Sequence, residues 1–296
     1  MHGFLNIDKA AGMTSFDVIR RLKKCLPRGT RIGHLGTLDP MATGVLPIAI
    51  GQATRLIHYL EDDDKEYQGS MTIGAVSDTQ DAWGEISYCQ SAQITRAQLE
   101  AVLPSFRGTI WQEPPMYSAV HHQGVRLYEL ARQGQVVERK KRPAQIKFLE
   151  LLHFDDQSNL PVATLRVVCS RGTYIRTLFH DIGQELGTGA FLSALTRIRS
   201  GGFLLSQALD LEQVINSWSQ SLLLPMGYPL QHWAKIILDT SEQIRALQNG
   251  QTISVNAALS TDLVRVYQPD NRLLAIAKVN YTEGKCSLKP ERVFHI

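Results

Sequence analysis

Gly33-His34-Leu35-Gly36-Thr37-Leu38-Asp39-Pro40-Met41-Ala42-Thr43-Gly44-Val45-Leu46-Pro47 is the stretch around which this 296-residue chain is organised. Three glycines, two prolines and two threonines in fifteen residues exclude an interior helix or a central strand on composition. The segment reads as an ordered loop leading into a buried apolar run from Val45 to Ile50. Asp39 stands before Pro40, which biases it toward extended backbone and makes it a natural turn residue. Its neighbours Leu38, Met41 and Ala42 are apolar, so the carboxylate is expected to be partly withdrawn from water. An isolated Asp-Pro would only shape the chain; chemistry has to be argued from the whole string.

Hydrophobic residues make up 44% of the chain and charged residues 20%, a globular rather than disordered composition. The length allows two domains, one large core and a smaller partner. No apolar run approaches the ~20 residues of a membrane span, and Met1-His2-Gly3-Phe4 has no signal-peptide character, so a cytoplasmic address is expected. Cys25, Cys89, Cys169 and Cys286 lie far apart without a CxxC pair, which suits reduced thiols and neither zinc nor a disulfide framework. Charge is uneven. Residues 1–60 carry eight Lys/Arg against three acids, residues 61–100 carry nine acids against two bases, and residues 126–147 carry seven bases against two acids. Separated basic blocks suit a polyanion gripped on one side, although a charge run alone is also an ordinary solvated face.

In chain order, residues 4–8 read as a short strand, and Thr14 or Ser15 caps a helix with Val18, Ile19, Leu22 and Leu26 on its apolar face. Thr54 to Leu60 reads as helical, Lys65 onward as a strand through Ile73, and Thr95 as the cap of a helix stopped by Pro104. A turn is expected at Gly124, a short helix from Leu127, and a loop at Arg139-Lys140-Lys141-Arg142. Val162 to Ser170 reads as a strand with Leu165, Val167 and Cys169 on one face. A helix follows, with Ile175, Leu178, Phe179, Ile182 and Leu186 as its buried stripe. Tyr174 and Arg176 fall outside that stripe in the first turn. An arginine there is unfavourable at the positive end of the helix dipole unless an anion answers it, and Asp39 is the candidate. A helix over Asp210–Trp218, a linker marked by Pro225 and Pro229, and a β-rich tail from about Ile236 complete the chain.

The central string resembles the signature of the pseudouridine synthases that modify uridine 55 in the TΨC loop of tRNA, close to G-H-T-G-T-L-D-P-x-A-T-G. It matches at Gly33, His34, Gly36, Thr37, Leu38, Asp39, Pro40, Ala42, Thr43 and Gly44; Leu35 stands where the family usually has Thr. Lys9-Ala10-Ala11-Gly12-Met13-Thr14-Ser15 is similar to the family's K-P-x-G-x-T-S opening, with Ala10 for the proline. Asp64-Lys65-x-Tyr67 with Gly74-x-x-Ser77-Asp78-Thr79-x-Asp81-x-x-Gly84 resembles its second motif. Ser170-Arg171-Gly172-Thr173-Tyr174-Ile175-Arg176 resembles the third, and Ala194-Leu195-Thr196-Arg197-Ile198-Arg199-Ser200-Gly201 a fourth. Residues such as Leu274-Ala275-Ile276 and Leu288 to Val293 look like an RNA-binding PUA domain.

The resemblance implies an α/β (α+β) core on a mixed, largely antiparallel sheet flanked by helices, over residues 1–228, and a PUA-like domain over 229–296. It implies Asp39 as nucleophile, Arg176 as its partner, Tyr67 stacked on the target base and moving its proton, and Tyr174 and Leu195 at the uridine. His34 would take the place of the everted base. No cofactor or metal is implied, and the partner is tRNA, held at its T-arm and acceptor stem by a monomer with no obligatory protein partner. Lys9, Arg20, Lys24, Arg55, Arg126, Arg139, Lys140, Lys141 and Arg142 are the expected phosphate contacts. An RNA-binding chaperone of the same fold without catalysis is the alternative, and a glycosidase-like hydrolase or a guide-RNA-dependent relative are weaker ones. Activity is expected despite Leu35: an inert wild type that Leu35→Thr revives in a pseudouridine assay would contradict this.

Overall fold

The computed structural model describes residues 1–89, 94–282 and 284–295. Ten strands form one sheet: β1 (Gly3–Lys9), β2 (Ile32–His34), β3 (Thr43–Ile50), β4 (Lys65–Ile73), β5 (Gly108–Gln112), β6 (Arg142–Asp155), β7 (Val162–Cys169), β8 (Ala190–Ser200), β9 (Phe203–Leu204) and β10 (Leu209–Asp210). Their order is β10-β1-β3-β8-β4-β7-β6-β5, with β2 on β3 and β9 on β8. Only β1 with β10 and β3 with β8 run parallel, so the sheet is mixed and largely antiparallel, as expected. A second sheet of five strands, β11 (Lys235–Ile237), β12 (Ile253–Val255), β13 (Leu263–Tyr267), β14 (Leu273–Thr282) and β15 (Lys285–Val293), makes up the tail, in the order β11-β13-β14-β15-β12.

Helix α1 (Ser15–Leu22) begins where Thr14 accepts from the Asp17 amide while Asp17 answers the Thr14 amide, a complete capping box. Its buried residues Val18, Ile19 and Leu22 lie on one face against the large sheet. Helix α2 (Ile175–Glu185) covers the same sheet through Ile175, Leu178, Phe179 and Ile182. The basic run does not end in a loop: Arg142 is the first residue of β6, paired with Gln112. The region Thr54–Leu60 is a 3-10 turn (Gly51–Leu56) followed by one helical turn (Ile57–Leu60). Asp210–Trp218 shortens to a helix over Leu211–Asn216, with Asp210 as cap.

The central stretch corrects the reading from composition. From Thr43 onward it is strand β3, inside the sheet and carrying Pro47. The carbonyl of Pro47 accepts from the Leu35 amide at 2.9 Å. In a strand, the N–H that proline lacks would face the same side. That side is where β2 has already stopped at His34 and where β8 meets β3 only at Thr43 and Gly44, so no ladder bond with β1 is lost. Gly44 is required by both shape and space. Its φ is +98°, and a Cβ would stand 2.3 Å from the Arg197 carbonyl oxygen.

The two sheets share apolar packing. Phe4, Leu35, Val45, Ala49 and Phe203 from the large sheet and its loops cluster with Met226, Leu230, Tyr267, Leu273, Ile276 and Phe294. Pro229, expected to mark a linker, is buried in a short 3-10 turn within this junction. Phe203 lies 5.7 Å from the Phe4 ring and 5.5 Å from that of Tyr228. Phe203→Ala should therefore destabilise the whole chain by about 3–5 kcal/mol, in one cooperative transition. Urea unfolding followed by circular dichroism checks this; two separated transitions, only one of them shifted, would show sheets that fold independently.

Candidate active site

Asp39 sits in the loop between β2 and β3, which is held by contacts from other elements and by one turn of its own. Ser15 Oγ, at the start of α1, accepts from the Leu38 amide at 2.8 Å and donates to the Leu38 carbonyl at 3.1 Å. The Gly12 amide donates to the Pro40 carbonyl at 2.9 Å, and the Ala42 amide closes a turn on the Asp39 carbonyl at 3.0 Å. Lys9 is fully buried (0% exposed) beneath the loop, its ammonium donating to Ala10, Met13 and Pro40 carbonyls. Burial pulls the Lys9 pKa down to about 8, with the Asp39 charge opposing the shift.

From the other side comes Arg197 of β8, 1% exposed. Its Nε donates to the Val45 carbonyl at 2.7 Å, Nη2 to Gly36 at 3.0 Å and Nη1 to Thr37 at 3.4 Å. One guanidinium thus ties the loop to the strand behind it. Gly36 has φ +85°, which turns its carbonyl-bearing backbone in a way other residues adopt only with strain. In the sheet register Arg197 stands opposite Tyr67 of β4. Burial raises the Tyr67 phenol pKa, against the pull of Arg197, while the Asp39 charge adds to the rise.

Arg176, the second residue of α2, is 4% exposed, and reaches Asp39 across 137 residues of sequence. Its Nη2 donates to Asp39 Oδ1 at 3.3 Å, and Nε lies 2.9 Å from Oδ2 but off the line of its N–H, so that contact is Coulombic. The rest of the guanidinium is committed to protein: Nη2 donates to the Tyr117 carbonyl at 2.8 Å and Nη1 to Thr79 at 3.2 Å. A second carboxylate, Asp81, stands 3.5 Å from Nη1. Asp81 is itself fixed by the Thr79 hydroxyl at 2.8 Å and the Trp83 amide at 3.0 Å. Asp39 keeps 33% of its side chain open to solvent. Burial of its carboxyl on the other sides raises its pKa, Arg176 opposes, and the Asp81 charge adds to the rise. The arrangement is a carboxylate with one open side, oriented by a guanidinium that cannot leave.

Comparison with known proteins gives this geometry its context. A model of the TruB family pseudouridylate synthase N-terminal domain matches residues 23–175. Models of the tRNA pseudouridylate synthase B C-terminal domain and of the pseudouridine synthase II TruB C-terminal domain match residues 176–231 and 234–294. The tRNA pseudouridine synthase B of Syntrophomonas wolfei is 55% identical, over 100% of this chain and 99% of that protein. The chain belongs to the TruB family of pseudouridylate synthases.

A second relative, tRNA pseudouridine synthase B of Moorella thermoacetica, is 42% identical over 98% of each chain. A solved H/ACA RNP bound to a substrate RNA containing 2′-deoxyuridine superposes with a TM-score of 0.74 at 25% identity, over 99% of this chain and 85% of that one. A Cbf5-Nop10-Gar1 complex superposes at 0.73 and 26% identity, over 99% and 85%. Family membership makes the chain an isomerase and its large sheet a pseudouridine synthase core.

Of the residues singled out in the sequence, Asp39, Arg176 and Tyr67 converge at the β2–β3 loop. His34 ends β2, and its Nδ1 is buried with no hydrogen-bond partner among the described residues; burial and the Arg197 charge push its pKa down, leaving a neutral ring. Leu195 is buried on β8, and Tyr174 is the half-buried cap of α2, its peptide clamped by the buried Gln112 side chain at 3.0 and 3.1 Å. The family's TruB-like opening lysine is a correction: Lys9 has no surface to offer RNA, because its ammonium is spent on loop carbonyls. Arg139 is paired with Glu113 at 2.5 Å and Arg20 with Asp17 at 2.7 Å, whereas Lys24, Arg126, Lys140, Lys141 and Arg142 are exposed. Arg55 is half-buried, donating to the Val293 carbonyl at 2.7 Å. Sequence reasoning missed the holding roles of Asp81, Arg197 and Gln112. Asp81 and Arg197 lay inside quoted motifs, but nothing local says that they face Arg176 and the loop backbone.

The Asp39 carboxyl has a folded pKa above its unfolded one, so this group lowers stability as pH rises through that interval. Carbon-13 carboxyl NMR titration should place Asp39 above the ordinary aspartate range. Asp81→Asn should move it down and Arg176→Gln should move it up; opposite signs would show that Asp81 and Arg176 do not act on Asp39 as drawn.

Proposed function

We propose that this chain converts uridine 55 in the TΨC loop of tRNA to pseudouridine. The observation that carries the reading is the Arg176 guanidinium lodged against Asp39, two groups far apart in sequence that meet at a carboxylate open on one side. The reaction breaks the C1′–N1 bond, rotates the uracil and rejoins it through C5, so the C5 proton must leave and a proton must be returned to nitrogen. Asp39 serves the first step either by attacking C1′ or by taking the 2′-proton on a route through a glycal. Arg176 keeps the carboxylate ionised and aimed, against the upward pull of burial and of Asp81. Tyr67 stacks on the base while it turns and passes its C5 proton directly or through water. Leu195 and Tyr174 flank the uridine.

A stacked base cannot present its sugar carbon to Asp39, so the uridine is everted, at a cost of a few kcal/mol. His34, neutral and planar beside the nucleophile loop, occupies the gap. Residues 1–228 form the catalytic unit and 229–296 a PUA-like unit for the acceptor stem. Lys24, Arg55, Arg126, Lys140, Lys141 and Arg142 supply phosphate contacts, while Arg20 and Arg139 are held by Asp17 and Glu113. The chain is expected to act in the cytoplasm as a monomer without a protein partner.

Incubation with an unmodified T-arm hairpin, followed by mapping at nucleotide resolution, should place pseudouridine at the position equivalent to 55. Asp39→Asn should abolish product while hairpin affinity stays within a few-fold of wild type. Product surviving in Asp39→Asn, release of free uracil, or binding without product in the wild type would each overturn the reading.

A further inference from the structure

Two cavities of about 570 and 580 Å³ adjoin each other at the end of β2 remote from His34. Pro27, Gly29, Thr30 and Arg31 belong to both walls. Together the walls carry Lys23, Arg28, Arg31 and Arg55, and not one Asp or Glu. The nearby cations of α1 are answered, Arg20 by Asp17 and Arg21 by Glu212. Arg55 is held by the Gln52 side chain and the Val293 carbonyl, neither of them charged. No carboxylate pairs with Lys23, Arg28 or Arg31 among the described residues. Burial and the amino-terminal charge lower the pKa of His2, whose Nδ1 accepts from the Gln52 amide. Uncompensated positive charge around a concave surface concentrates potential there and attracts an external anion.

Along β2 the groove comes up to the residue before His34. Gly33 is part of one wall, and the next residue is His34. A Cβ at Gly33 would stand 3.0 Å from Ile57 Cδ1, so glycine keeps this wall thin between β2 and the helical turn behind it. From Arg31 to His34 a strand rises ~10 Å, at about 3.3 Å per residue. Nucleic acid covers that distance in about three nucleotides at ~3.4 Å each.

We infer that this groove is a phosphodiester subsite, holding the backbone of the RNA strand that runs away from the uridine everted at His34, with Arg28 and Arg31 as its anion ligands. The inference rests on the reading of the reaction above and names the part of the substrate that the groove takes. Guanidinium suits the task because its planar fork meets two phosphate oxygens at once. Such contacts set the position of the strand without reading its bases.

The test compares Arg28→Ala/Arg31→Ala with Arg96→Glu, which changes net charge by the same amount but lies in the acidic block, paired with Glu100. Hairpin affinity is measured by fluorescence anisotropy across a salt series, with a thermal melt to establish folding. The double variant should bind about tenfold more weakly near 0.1 M salt, and its slope of log affinity against log salt should fall by roughly 1.4–1.8, two phosphates' worth. Arg96→Glu should keep the wild-type slope. An unchanged slope in the double variant, or an equal loss in Arg96→Glu, overturns the subsite. Failure of the two readings is separable. A wild type that makes no pseudouridine but shows the groove-dependent slope overturns only the reaction, and a wild type that makes it with an unaltered slope in the double variant overturns only the groove.

Discussion

A guanidinium buried at the start of a helix is an unfavourable object, and the site depends on how this one is answered. Arg176 sits at the positive end of α2 with almost no contact with water. Two carboxylates and two carbonyls surround it, and removing any single partner would leave an unmatched charge in a poorly solvated place. That requirement links three distant segments, the β2–β3 loop, the turn around Thr79–Asp81 and the segment before residue 118. The reactive geometry and the stability of this corner are therefore one problem.

Arg197 solves a second part of it. The β2–β3 loop buries Leu35, Leu38, Met41 and Ala42 but makes no ladder of its own, so its carbonyls must be held by other elements. Arg197, Lys9 and Ser15 supply those donors from three elements, to the Gly36, Thr37, Pro40 and Leu38 carbonyls, and the loop arrives before the substrate with its backbone already placed. Leu35, the departure from the family pattern, lies in the apolar junction shared with the tail sheet. In that position a methyl-rich side chain packs where a hydroxyl would need a partner, which gives the substitution a structural sense.

Much of this was legible in the chain itself. The amphipathic stripes of α1 and α2, the caps at Thr14 and Thr95, and the alternation in β7 each follow from local periodicity and local hydrogen bonding. The Asp39–Arg176 pairing was anticipated from a motif and from the dipole argument together. Pro47 misled, because composition weighs a proline without knowing which side of its strand has a neighbour. Lys9 misled in the opposite way: its charge suggested a surface, and only the fold shows three carbonyls converging on it.

Local chemistry along the chain determined where helices start, which faces are apolar and which residues are fit to react, since those depend on neighbours within a few positions. The tertiary structure alone decided which cations are spent on the protein and which are not. Lys9, Arg176 and Arg197 are consumed by backbone and carboxylates, whereas among the described residues no carboxylate pairs with Arg28 or Arg31. A charge has the same sequence letter in either case; its partner is set by segments folded against it from far along the chain, and distance in space rather than in sequence governs Coulomb energy.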